Sequence, residues 1–69
     1  VKIYGYGSYT YIEMDDYTQA EVLIYNLNGA LVHTEQIGSN RTQIELQQGI
    51  YIVKVKNSTG LKTQKVSIL

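Results

Sequence analysis

Gly49-Ile50-Tyr51-Ile52-Val53-Lys54-Val55-Lys56 is the stretch that decides how this 69-residue chain folds. Tyr51, Val53 and Val55 share one parity, while Ile50, Ile52, Lys54 and Lys56 share the other. Strand side chains alternate between faces, so the stretch reads as a strand with one wholly buried face. Its other face passes from apolar to basic, which predicts cover at the start and solvent at the end. Four of the eight residues are β-branched, and this disfavours a helix. Gly49 on one side and Asn57-Ser58-Thr59-Gly60 on the other are turn chemistry and bound the strand.

The chain on either side continues the pattern. Leu61 to Leu69 returns from Thr59-Gly60 as a partner strand. Opposing Val53 to Val66 and Tyr51 to Ile68 puts those four residues on one face, and the same register sets Lys54 against Lys65. Upstream, Thr42 to Leu46 alternates with Ile44 and Leu46 inward, and Gln47-Gln48-Gly49 turns it into the central strand. Ala20 to Leu27 is a second strong strand, joined to Ala30 to Thr34 around Asn28-Gly29. A three-residue turn with Gly29 left-handed opposes Ile24 to Val32 and places Val22, Ile24 and Val32 together. Apolar residues on both faces place this hairpin well inside the domain. At the start of the chain, a Gly7-Ser8 turn opposes Tyr6 to Tyr9, Tyr4 to Tyr11, Ile3 to Ile12 and Lys2 to Glu13. A longer loop beginning at Gly5 is the alternative.

No segment has helical periodicity of useful length. Six or seven short strands, with turn signals about every 8–12 residues, predict one all-β domain over residues 1–69. Its architecture is a small antiparallel immunoglobulin-like β-sandwich. The expected core is Ile12, Val22, Ile24, Val32, Ile44, Leu46, Tyr51, Val53, Val55, Val66 and Ile68. A chain this short buries only about 60% of the surface it exposes when unfolded, and with no cysteine it has only packing to hold it. It begins directly in strand-like sequence, and we expect it to be part of a longer protein.

Composition narrows the function. Net charge is zero, but all six acids lie in residues 1–48, and Lys54, Lys56, Lys62 and Lys65 lie in an acid-free remainder. The basic end either complements the acidic body or is recognised by something acidic. A neutral chain lacks the electrostatic footprint for nucleic acid. No apolar run approaches the roughly 20 residues of a membrane-spanning helix, and no stable membrane insertion is expected. One histidine without cysteine argues against a structural zinc site, and His33 reads as a rim residue. Asp15-Asp16 lacks the alternating ligands and glycine of a calcium loop. Asn40-Arg41-Thr42 and Asn57-Ser58-Thr59 match the N-glycosylation pattern, a weak signal in turns of this composition. No nucleophile–base pair or phosphate-binding loop is present, so neither enzyme activity nor a cofactor is expected. All seven aromatics are tyrosine. Tyr4, Tyr6, Tyr9 and Tyr11 share a face and form either a stabilising cross-strand ladder or a platform for a carbohydrate ligand.

Three stretches taken in order carry a resemblance. They are Val22-x-Ile24-Tyr25-Asn26-Leu27-x-Gly29-x-x-Val32, Ile44-x-Leu46-x-x-Gly49-Ile50-Tyr51-Ile52-Val53-Lys54-Val55, and Lys62-Thr63-x-Lys65-Val66-x-Ile68. Together they resemble the C-terminal sorting domain of proteins exported by the type IX secretion system of Bacteroidetes, in a type A-like form. The resemblance covers roughly residues 20–69, with a weaker fit over 9–14. Many members carry a Pro-Asn-Pro turn before the first strands, where this chain has Tyr4 to Tyr9 and no proline. The resemblance implies a non-catalytic signal that the outer-membrane type IX components recognise, so that upstream cargo is secreted or held at the cell surface. A sortase-like peptidase is a further implied partner. The family's recognition positions correspond to Gly49, Tyr51, Val53, Val55, Lys65, Val66 and Ile68, and Lys54 and Lys56 join them on charge. An immunoglobulin-like carbohydrate- or protein-binding module of a surface protein is the rival reading, with a passive spacer domain behind it.

Overall fold

A computed structural model describes all 69 residues and contains only strands. They are β1 (Lys2–Tyr6), β2 (Tyr9–Glu13), β3 (Glu21–Asn26), β4 (Leu31–Gln36), β5 (Arg41–Glu45), β6 (Gly49–Asn57) and β7 (Gly60–Ile68). A three-stranded sheet in the order β1-β2-β5 faces a four-stranded sheet in the order β4-β3-β6-β7, and every pairing is antiparallel. This is the small all-β sandwich that the alternation predicts.

The opening hairpin has the predicted register, from Lys2 opposite Glu13 to Tyr6 opposite Tyr9. Gly7, at φ +62°, supplies the left-handed first position of its turn. Ile3, Ile12 and Met14 point into the core, and buried Thr10 donates its hydroxyl hydrogen to the Tyr4 carbonyl. β6 lies between β3 and β7 with Tyr51, Val53 and Val55 buried, and Val22, Ile24, Ile44, Val66 and Ile68 complete the centre of the core. Leu46 is half-buried against that cluster.

Six expectations need correction. Val32 is not in the core: it is 45% exposed. Tyr25 does face Leu31, as the three-residue turn requires, but a bulge follows and Ile24 faces His33 instead of Val32. Val32 is the extra residue of that bulge. The hairpin is therefore not deep inside the domain, because β4 is an edge strand. The β4 partners of Val22 and Ile24 are Glu35 and His33, whose side chains pair at 3.0 Å on the rim.

The β6–β7 register is also displaced by two residues, with Tyr51 opposite Val66 and Gly49 opposite Ile68. The cause is the Asn57 carboxamide, whose oxygen accepts from the backbone N–H groups of Thr59 and Gly60, both at 3.0 Å. That closes a two-residue turn and pairs Asn57 with Gly60. A shift of two preserves the faces, so the inward set survives, but Lys54 faces Thr63 and Lys65 faces Ile52. The expected facing lysine pair does not exist. Finally, the apolar start of the outward face of β6 is not covered, since Ile50 is 39% exposed.

The acidic turn locks onto this terminal hairpin. Asn57 donates its amide to the Asp16 carbonyl at 2.8 Å, and the Ser58 N–H donates to the Thr18 carbonyl. The Asp16 carboxylate accepts from the Thr18 N–H at 3.0 Å, which holds its pKa below the ordinary value, with the Thr18 and Ser58 side chains adding to the effect. A carboxylate lowered on folding stabilises the fold above its unfolded pKa, and that contribution is lost as pH falls through the folded one. Asp16→Asn should therefore melt below the parent at pH 7, with the gap closing near pH ~2. A gap of equal size at both pH values in thermal melts would mean that the carboxylate charge contributes nothing.

Candidate recognition surface

The two sheets present outward faces of different chemistry. On the three-stranded sheet, the Tyr4 and Tyr11 rings stack with centroids 5.2 Å apart and planes 21° apart, and the Arg41 guanidinium lies 5.5 Å from the Tyr11 centroid. Tyr9 tilts against Tyr11 at 6.2 Å. The Tyr4 hydroxyl donates to Glu13 at 2.7 Å, and the carboxylate it meets holds the phenol above its ordinary range. A sugar needs an open ring face, and the faces of Tyr11 are taken by Tyr4 and Arg41. This geometry favours the cross-strand ladder, with Tyr6 the most exposed of the four rings.

The outward face of the four-stranded sheet is built differently. β3 contributes Leu23 and Tyr25, β4 contributes Leu31, β6 contributes Ile50, Ile52, Lys54 and Lys56, and β7 contributes Leu61 and Lys65. The registers set Tyr25 beside Ile52, Leu23 beside Lys54, and Ile52 beside Lys65. Lys54 Nζ lies 5.2 Å from the Tyr25 ring centroid. Tyr25, Asn26, Leu27, Gly29, Ile52 and Lys54 line an open depression of about 380 Å³. Leu27, Leu31 and Leu61 are each at least half exposed.

The nine sequence-predicted recognition residues divide by parity. Tyr51, Val53, Val55, Val66 and Ile68 are buried, and Gly49 is partly so. Tyr51 is held by its hydroxyl, which donates to the Gln47 carbonyl at 2.8 Å. Lys54, Lys56 and Lys65 lie on the outward face, joined by Ile50 and Ile52. Alternation put those two isoleucines on the lysine face but predicted cover over them, so it did not mark them as accessible. Leu27 and Leu31 carried no comparable signal, because their exposure follows from a turn and an edge.

The charge asymmetry is partly self-complementing. Lys56 of the basic end pairs with Glu21 of the acidic body at 2.9 Å, while Arg41 approaches Glu13 within that body at 3.8 Å and Lys62 donates to the Val1 carbonyl. Lys54 and Lys65 have no carboxylate partner. The largest concavity, about 460 Å³, lies at one end of the sandwich among Lys2, Glu13, Asp15 and Arg41. Nowhere do three His, Cys, Asp or Glu side chains converge as metal ligands would. The Asn57 side chain, one of the two possible glycosylation positions, is engaged through its oxygen in its turn and through its nitrogen with Asp16. No helix is long and apolar enough to cross a membrane.

Comparison with known families converges on the resemblance carried by the three stretches. No curated protein and no solved structure shows significant similarity to the chain. The family model of the secretion system C-terminal sorting domain matches residues 7–69, from the first turn through the last strand. With all but the first six residues matched and a two-sheet fold to accommodate them, the chain belongs to the type IX secretion C-terminal sorting domain family.

Proposed function

We propose that this chain is the C-terminal domain of a longer secreted protein and serves as its address for passage across the outer membrane. Outer-membrane type IX components recognise the domain, and the cargo ahead of it crosses to the cell surface. A sortase-like peptidase then acts on the domain and anchors the cargo. The domain does no chemistry itself; its part is to fold stably and present a surface. The observation that carries this reading is the family match over residues 7–69.

The test is a reporter with an export signal at its N-terminus and residues 1–69 at its C-terminus, expressed in a type IX-competent Bacteroidetes host. The reporter should reach the cell surface or medium, and should stay in the periplasm both without residues 1–69 and in a translocon-deficient strain. Equal surface signal with and without the domain would refute the proposal.

A further inference from the structure

The positions that the resemblance marks for recognition lie on β6 and β7, and in this structure those strands divide sharply. Their inward side chains, Tyr51, Val53, Val55, Val66 and Ile68, are in the core, where no partner of the folded domain can touch them. Their outward side chains are accessible and continue onto β3 and β4. We propose that the outward face of the β4-β3-β6-β7 sheet, centred on Ile52 between Tyr25 and Lys65, is the surface that the translocon reads. This inference rests on the sorting function and names the surface that performs it.

Two properties of the face define its partner. It is apolar where it is open: Ile50 and Leu31 are 39% and 50% exposed, and they flank the depression lined by Tyr25 and Ile52. Contiguous exposed apolar surface of this kind marks a protein contact. It is also positively charged, with Lys54, Lys56 and Lys65 against Glu21 alone, and Glu21 is already engaged by Lys56. The other acids lie elsewhere on the fold, so charge complementarity must come from outside. The occupant is therefore a translocon protein surface with apolar side chains and carboxylates placed to meet Lys54 and Lys65. Lys54 over the Tyr25 ring joins the two properties, a lysine held in place by an aromatic. The opposite sheet offers no equivalent: Tyr4, Tyr9 and Tyr11 pack on one another, Arg41 lies over Tyr11, and Tyr6 stands exposed by itself.

The same reporter fusion separates the outcomes. Ile50→Thr/Ile52→Thr removes the apolar part while keeping β-branched residues in the strand, and Lys54→Glu/Lys65→Glu reverses the charge. Each should lower surface delivery about tenfold or more while the domain melts within a few degrees of the parent. Tyr6→Thr/Gln43→Glu, on the opposite sheet, should deliver normally. Normal delivery by both outward-face variants would overturn the proposal. Loss with the lysine variant alone would also overturn it, pointing to an anionic glycan or lipid headgroup in place of a protein. A dimeric parent fusion that the isoleucine variant makes monomeric without loss of delivery would assign the face to a second copy. Should the unmodified fusion itself stay in the periplasm, it is the sorting function that fails, and the variants are not needed to show it.

Discussion

Val53→Asp is expected to abolish folding. Val53 is fully buried on β6, set between Ile24 on β3 and Gln64 on β7, and its face packs against the opposite sheet. No cationic side chain is buried in the core to meet an aspartate there. An unpaired charge in such a place costs at least several kcal/mol, whether it stays ionised or is forced to take up a proton. Against this, a domain of this length has a total stability of roughly 3–10 kcal/mol. The substitution therefore consumes most or all of what holds the sandwich together. Far-UV circular dichroism and a thermal melt of the variant are sufficient checks. A soluble variant with a cooperative transition would mean that the core has been misplaced.

The same strand shows what alternation can and cannot reveal. Parity along β6 identified Tyr51, Val53 and Val55 as inward because one residue of slip would exchange the two faces completely. Gly7-Ser8 fixed the first hairpin, since a two-residue turn leaves one register and Gly7 has the backbone conformation that turn demands. The last hairpin was read two residues out of step. The position of its turn depends on what the Asn57 carboxamide binds, and both placements satisfy the hydrophobic pattern equally. Val32 was misplaced for a related reason. A bulge changes the parity of a strand partway along, and nothing in Leu31-Val32-His33 announces it.

The candidate surface was legible only in part. Lys54, Lys56 and Lys65 stood out by charge, and they do share a face. That Ile50 and Ile52 would be accessible beside them was not legible. Alternation says which residues share a face, but whether a second layer covers that face is a property of the whole topology. Here three strands face four, and the other side of the larger sheet is left open.

Gly5→Ala should produce the second large effect, for a reason invisible in the sequence. Gly5 sits in β1 at an ordinary strand position, opposite Thr10, and its backbone is not in the left-handed region. On backbone preference alone, alanine there would help slightly, because glycine in a strand interior is the weaker choice. Space reverses the expectation. A Cβ at Gly5 would lie 2.7 Å from both the Ser67 carbonyl oxygen and Val66 Cγ1. Val66 could turn aside at some cost to the core, but the carbonyl belongs to the backbone of β7 and can retreat only if the strand moves. β1 and β7 come from different sheets, and the Leu69 N–H reaches the Gly7 carbonyl close by. Gly5 is thus what lets the two sheets approach along this side of the sandwich. Overpacking of this kind costs about 1–3 kcal/mol, and in a domain this small each kcal/mol lowers Tm by roughly 4–8 °C. The parent and Gly5→Ala melting curves should therefore be separated by at least several degrees, and Gly5→Val should lie lower still. An alanine variant that melts with or above the parent would show that β1 and β7 are not in close contact at Gly5.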